Sequence, residues 1–155
     1  MLPGDRLVCA FVEPQATGTQ IPQWLLHVTI VPWFRLGEAT GQIAAGLSKA
    51  LGTTGSFEVA AGETVMFGPK KNRSARLVGP TGPFEEIEQK VRIYLHKKRA
   101  WLVDETTKRP RQFRPHVTVQ GSQGLGARQT FEVNKLYIVE QKGNYKEIVA
   151  EISLG

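Results

Sequence analysis

The sequence predicts an α+β fold of about seven or eight strands and two main helices. Three observations predict it. Short runs of apolar, β-branched residues recur between turn residues along the chain, as is typical of strands. Two segments instead carry apolar residues at helical spacing. The chain has 155 residues, 41% of them hydrophobic, and contains no linker, which predicts a single domain over residues 1–155.

The first half of the chain combines strands with one helix. Apolar, β-branched runs predict strands over residues 5–13, 25–31 and 57–67. Pro32 is expected to end the second strand, and Gly62 to interrupt the third. Residues 38–51 carry an apolar stripe at helical spacing and stop at Gly52, which predicts a helix. The stripe is formed by Ile43, Leu47 and Leu51.

The second half repeats this combination. Strands are predicted over residues 75–78, 101–103 and 114–119, followed by a hairpin of residues 131–139 and 145–152. A helix is predicted from Pro83 to about residue 99, with Thr81 as its N-terminal cap. Its apolar face consists of Phe84, Ile87, Val91, Tyr94 and Leu95.

Composition argues against two classes of protein. No stretch approaches the roughly 20 consecutive apolar residues that cross a bilayer, so we expect no membrane partner. Cys9 is the only cysteine, which argues against an internal disulfide and a multi-thiolate metal site. The first residues also lack the basic and apolar segments of a secretory signal, so we expect a cytoplasmic protein.

The positive charge of the chain is concentrated in one window. The whole chain carries a net charge of +6. Residues 90–114 include nine lysines and arginines and two acidic residues, so this window alone carries +7 and the remainder carries −1. Such a concentration is expected of a site for a polyanion, but it is equally typical of a solvated helix face. Charge alone does not decide between these interpretations.

Two of the three histidines begin nearly identical tetrapeptides, His-Val-Thr-Ile at 27–30 and His-Val-Thr-Val at 116–119. Side chains alternate between the faces of a strand, so each motif presents an imidazole and a hydroxyl on one face and two aliphatic side chains on the other. A single such histidine is more simply a satisfied residue on a half-buried strand. The repetition favours a chemical role for both.

The residue types suit phosphodiester chemistry. A histidine titrates near pH 6.5, so one imidazole can accept a proton while the other donates one. The hydroxyls of Thr29 and Thr118 can bind phosphate oxygens. The motifs bring no carboxylate cluster and no Cys/His spacing, so they imply neither a metal nor another cofactor.

The duplicated motif resembles the 2H phosphoesterase superfamily, in particular the branch named after the 2'-5' RNA ligase, which includes RNA 2',3'-cyclic phosphodiesterases. The resemblance extends to the Phe-Arg-Pro-His sequence that ends at His116 and to the closing hairpin with Tyr145. It implies a bilobal fold with two antiparallel sheets, related by a pseudo-twofold axis around a central cleft, and helices on the outer faces. It also implies that His27, Thr29, His116 and Thr118 are catalytic.

The resemblance implies metal-independent hydrolysis of a 2',3'-cyclic phosphate to a 2'-phosphate. The reverse reaction with a 5'-hydroxyl end would form a 2'-5' linkage. We therefore weigh three functions: a cyclic phosphodiesterase acting on RNA or nucleotides, a 2'-5' RNA ligase joining RNA halves, and a non-catalytic RNA-binding module of the same fold. Intact histidines and threonines argue against the third. We expect the partner to be RNA or a nucleotide, and we expect the protein to be a monomer.

Six further residues are predicted to bind substrate. Relatives often carry a basic residue after the second motif, where this chain has Gln120, and Arg114 on the same face of its strand can supply that charge. The other five are Arg109 and Arg111 for the RNA backbone, Trp33 and Phe113 for stacking on bases, and Tyr145 by family analogy. Core packing is the alternative role for Phe113, and cross-strand packing for Tyr145.

Overall fold

The computed structural model describes residues 1–68, 70–106 and 112–155. Within these residues the chain forms ten strands, two α-helices and a 3-10 turn at Val103–Glu105. In chain order the elements are β1 Arg6–Phe11, β2 Gln20–Ile21, β3 His27–Arg35, α1 Thr40–Leu51, β4 Phe57–Phe67, β5 Arg73–Gly79, α2 Thr81–Lys97, β6 Trp101–Leu102, β7 His116–Thr118, β8 Thr130–Val133, β9 Lys135–Gln141 and β10 Lys146–Ser153. The predicted α+β class is confirmed.

The strands pair antiparallel in one sheet of order β2-β10-β9-β1-β3-β7-β5-β4-β8, with β6 pairing separately with β3. We call β2, β10, β9, β1, β3 and β6 the first half of the sheet, and β7, β5, β4 and β8 the second half. The halves meet where Val28 of β3 lies opposite Val117 of β7. The two sheets expected from the resemblance are therefore joined at this pair, and the twofold relation between them stays a prediction.

Both helices pack on one face of this sheet. The predicted stripe of α1 is buried there, together with Phe84, Ile87, Val91 and Leu95 of α2. They contact buried strand residues from both halves, including Val28, Val59, Val78 and Val117. The opposite face of the first half carries a second apolar cluster, formed by Leu7, Cys9, Phe11, Ile21, Tyr137, Val139 and Ile148 and bordered by Trp24 and Trp33.

Pro32 does not end its strand, contrary to the expectation. Strand β3 continues through it to Arg35. The register against β1 jumps there, from Val31 opposite Val8 to Phe34 opposite Arg6. Proline has no N–H to donate, so it is tolerated at such an irregularity in the ladder. Gly62 does not break β4, which runs from Phe57 to Phe67, but the register against β5 shifts between Ala61 and Thr64.

The predicted strand 131–139 is wrong, because two strands with different partners occupy it. β8 ends at Val133 and pairs with β4, whereas β9 begins at Lys135 and pairs with β1 and β10. Asn134 lies between them, and its carbonyl accepts a hydrogen bond from the backbone N–H of Leu154. A continuous apolar pattern does not reveal that the chain changes partner.

The predicted cap of α2 is also wrong. The helix begins at Thr81 itself, so Pro80 occupies the cap position, in an extended conformation and without a side-chain cap hydrogen bond. Pro83 then lies in the first turn, where the missing N–H has no helical partner to lose. No helix in the described part of the chain is long and apolar enough to cross a membrane.

Candidate active site

Strands β3 and β7 bring the two repeated motifs together. Val28 and Val117 face each other across the strand pair, and both are buried on the helix side. Because side chains alternate, the histidines and threonines of both motifs share the opposite face. The antiparallel register sets His27 beside Thr118 and Thr29 beside His116.

All four side chains line one cavity of about 280 Å³. Its wall also includes three of the predicted substrate-binding residues, Trp33, Phe113 and Arg114. Phe113 also packs against the apolar core, as its alternative role predicts. Gln120 lines the cavity as well, two residues beyond Thr118. The cavity therefore combines two imidazoles, two hydroxyls, aromatic rings and three arginines, since Arg73 and Arg92 line it together with Arg114.

The two imidazoles are anchored in the same way. Nδ1 of His27 donates to the carbonyl of Leu25 at 2.7 Å, and Nδ1 of His116 donates to the carbonyl of Arg114 at 2.7 Å. A carbonyl oxygen only accepts hydrogen bonds, so Nδ1 carries the proton in both rings. Nε2 is then the nitrogen that gains or loses a proton. The shared tautomer leaves each ring able to act as a base or, once protonated, as an acid.

The environment of His27 favours its neutral form. Burial lowers the pKa of His27, and the charge of nearby His116 lowers it further, while the hydrogen bond to Leu25 opposes both effects. Two positive imidazoles repel each other, and this repulsion adds to the preference of His27 for its neutral form.

Each imidazole also lies against an aromatic ring that a cation covers. The ring of Trp24 lies 4.4 Å from that of His27, and Nζ of Lys146 lies 5.2 Å from the centre of the Trp24 ring. On the other strand, Phe67 stacks on His116 at 4.0 Å and an interplanar angle of 16°. The guanidinium of Arg114 lies 5.4 Å from the Phe67 ring. These contacts restrict the rotation of both imidazoles.

Sequence reasoning missed three members of these stacks. Trp24 lies three residues before the first motif, and this proximity could have singled it out. Phe67 and Lys146 lie far from both motifs, and no local pattern marks them. Among the described residues that line the cavity, the predicted Tyr145 is not found. Its neighbour Lys146 reaches the aromatic wall instead.

Arg109 and Arg111, which are predicted to contact the RNA backbone, lie outside the described residues. The helical part of the basic window consists largely of ion pairs. Arg92 contacts the carboxylates of Glu88, Asp104 and Glu105. The remaining pairs are Lys90 with Glu86, His96 with Glu105, and Lys98 with Glu38. For α2 this arrangement supports the interpretation as a solvated helix face, with most of its cations in surface ion pairs.

The described residues do not form a metal centre. Within residues 1–68, 70–106 and 112–155, no group of three histidine, cysteine, aspartate or glutamate side chains is arranged to hold a metal ion.

Comparison with known proteins identifies a family and similar solved structures. The sequence model of the 2'-5' RNA ligase superfamily matches residues 6–132. Escherichia coli LigT, solved in complex with 3'-AMP, is 14% identical over 99% of both chains, with a TM-score of 0.61. A structure described as a phosphoesterase is 15% identical over 99% of both chains, with a TM-score of 0.62. TT0787 of Thermus thermophilus is 18% identical over 97% of both chains, with a TM-score of 0.56. No curated protein matches the sequence.

Proposed function

The chain belongs to the 2'-5' RNA ligase superfamily, and from that premise we propose that it is a metal-independent phosphodiesterase. Its substrate is a 2',3'-cyclic phosphate at the end of an RNA or on a nucleotide, which it opens to a 2'-phosphate. One observation carries this proposal: two His-x-Thr pairs share one face of adjacent strands and line one cavity.

The two histidines supply the proton transfers. Hydrolysis needs a base for the attacking water and an acid for the leaving oxygen. The lowered pKa of His27 supports His27 as the neutral base, and we assign the role of the acid to His116. Nε2 of His27 takes a proton from water, and the water oxygen bonds to phosphorus. The bond between phosphorus and the 3' oxygen breaks as that oxygen takes the proton of His116. A 2'-phosphate and a 3'-hydroxyl result.

The threonines and Arg114 bind the phosphate. Each threonine lies beside the histidine of the other strand, so its hydroxyl can donate to a non-bridging oxygen while that imidazole reaches the water or the leaving oxygen. Negative charge on those oxygens is stabilised by such fixed donors. Arg114 adds a positive charge at the cavity wall. Trp33 and Phe113 supply apolar surfaces for the base.

Hydrolysis of a nucleoside 2',3'-cyclic phosphate, in the presence of excess EDTA, tests this proposal. Phosphorus NMR identifies the product as the 2'- or the 3'-monophosphate. We expect wild type to form the 2'-monophosphate without loss of rate in EDTA. His27→Ala and His116→Ala should each lower kcat by about 10²–10⁴, the usual contribution of a general acid or base.

His96→Ala is the matched control. His96 is exposed, pairs with Glu105 and does not line the cavity, so this variant should keep wild-type activity. Wild-type rates in either cavity variant would contradict the two-histidine mechanism. Inactivation by EDTA would contradict metal independence. A wild type that opens neither the nucleotide nor an RNA with the same end would contradict the proposed activity itself.

A further inference from the structure

The turn between β4 and β5 carries a compact group of three basic residues. Lys70, Lys71 and Arg73 lie within four residues, and all three side chains are exposed. No acidic residue occurs between Glu63 and Glu85 in the sequence. A positive potential at this turn is therefore not cancelled by neighbours along the chain.

These three cations form no ion pair, unlike seven other lysines and arginines of the described chain. In the described part of the chain, no carboxylate lies within ion-pair distance of Lys70, Lys71 or Arg73. The lysines at 90, 98, 135 and 142 and the arginines at 6, 35 and 92 all contact carboxylates. An unpaired cation keeps its full charge for an external anion, because it gives up no existing ion pair on binding.

The basic turn adjoins the candidate active site. Arg73 lies opposite Phe67 in the β4–β5 ladder, and both side chains line the cavity. Phe67 in turn stacks on His116. A chain of phosphates that leaves the cavity past Arg73 would therefore reach Lys70 and Lys71 next.

We propose that the β4–β5 turn binds the phosphodiester backbone of a single-stranded RNA whose 3' end occupies the cavity. This inference rests on the proposed function, since it places the reactive end at the two histidines. Arg73 contacts the phosphate nearest the cavity, and Lys70 and Lys71 contact the following ones. Single strands suit this arrangement, because a flexible backbone can follow a cationic turn while its terminal nucleotide enters a cavity lined by aromatic rings.

The test uses a fluorescently labelled RNA of 12 nucleotides that ends in a 3'-phosphate and so cannot turn over. Binding is followed by fluorescence anisotropy between 50 and 300 mM salt. The variant is Lys70→Gln with Lys71→Asn. Asparagine is chosen because Lys71 has a φ of +49°, which asparagine tolerates well among L-residues. Lys49→Gln with Lys97→Gln removes the same charge from exposed positions on α1 and α2 and serves as the control.

We expect the turn variant to bind the RNA more weakly and with a shallower salt dependence. The slope of log K against log salt should decrease in magnitude by about 0.7 for each phosphate of a single strand that a lysine no longer neutralises. The control should keep the wild-type slope. Equal slopes in the turn variant and wild type, or no measurable binding by wild type, would overturn the proposal. Equal weakening in both variants would also overturn it, because it would show a general charge effect.

Kinetics separate this inference from the proposed function. Two substrates are compared, a 12-nucleotide RNA with a 2',3'-cyclic phosphate end and the cyclic mononucleotide. We expect the turn variant to lower kcat/KM for the RNA more than kcat/KM for the mononucleotide, so that the ratio of the two values falls. In the control this ratio should stay constant. A constant ratio in the turn variant would overturn the role of the turn while wild-type hydrolysis of the mononucleotide still supports the enzyme. Heparin binding is measured for the same proteins. If the turn variant loses affinity for heparin by the same factor as for RNA, the turn is a general polyanion site and the assignment to RNA is overturned.

Discussion

At the scale of single residues, His27 couples the candidate site to the stability of the fold. Burial and the nearby His116 lower its pKa in the folded chain. In the unfolded chain it takes up a proton near pH 6.5. Between these two values the unfolded state binds more protons, so the free energy of unfolding falls as pH drops below about 6.5. Below the folded-state pKa of His27 this contribution is lost completely.

Replacing His27 with glutamine removes that titration. We expect the wild-type free energy of unfolding to fall more steeply than that of His27→Gln as pH goes from 8 to 5. Urea unfolding at several pH values measures both curves. Parallel curves for wild type and His27→Gln would show that His27 has the same pKa in both states.

The two motifs, and their shared face, could be predicted from the sequence because strand alternation is a local property. His27, Thr29, His116 and Thr118 all line the cavity, as does Arg114. Trp24, Phe67, Arg73 and Lys146 were not predicted as parts of the site. Trp24 lies just before β3, whereas Phe67, Arg73 and Lys146 belong to β4, β5 and β10, which only the sheet order brings near the motifs. Contacts between distant segments leave no local pattern.

At the scale of elements, the two helices meet at Gly46 of α1 and Tyr94 of α2. A Cβ atom at Gly46 would overlap the ring of Tyr94. Alanine is intrinsically better than glycine in a helix by about 1 kcal/mol. Overpacking of this kind costs about 1–3 kcal/mol. An alanine at position 46 would therefore gain helix propensity and lose stability through the overlap with Tyr94.

We expect Gly46→Ala to lower the free energy of unfolding, because the overlap with Tyr94 outweighs the gain in helix propensity. Gly41→Ala, in the same helix, is the control, since a Cβ there meets nothing within 4 Å. It should leave stability unchanged or raise it by up to about 1 kcal/mol. Urea unfolding compares the three proteins. A Gly46→Ala protein as stable as Gly41→Ala would show that Tyr94 moves aside without cost.

Element positions were predictable where periodicity or turn chemistry is strong. The stripe of Ile43, Leu47 and Leu51 placed α1, and its three residues are buried. The prediction of one strand over residues 131–139 was wrong. The apolar residues of this segment fit a single strand, but the chain changes its pairing partner at Asn134. The prediction that Pro32 ends its strand was wrong. A proline is tolerated inside β3 because the register with β1 is irregular there, and that irregularity is a property of the paired strands.

At the scale of the whole molecule, one core connects the two halves of the sheet. The cluster under the helices includes Val8 and Ile30 from the first half and Val59, Val78 and Val117 from the second. The candidate site lies on the other face of the same junction, between β3 and β7. Separation of the halves would therefore expose the core and divide the histidines and threonines of the two motifs. We propose on these grounds that residues 1–155 form a single domain.

A single domain unfolds in one cooperative step, and the positions of the tryptophans make this testable. Trp24, Trp33 and Trp101 all belong to the first half or adjoin it, so tryptophan fluorescence reports on that half. Far-ultraviolet circular dichroism reports on strands and helices throughout. We expect the two signals to give the same urea midpoint and the same slope, since the shared core couples both halves. A dichroism curve with a second transition, absent from the fluorescence curve, would show that β7, β5, β4 and β8 unfold separately.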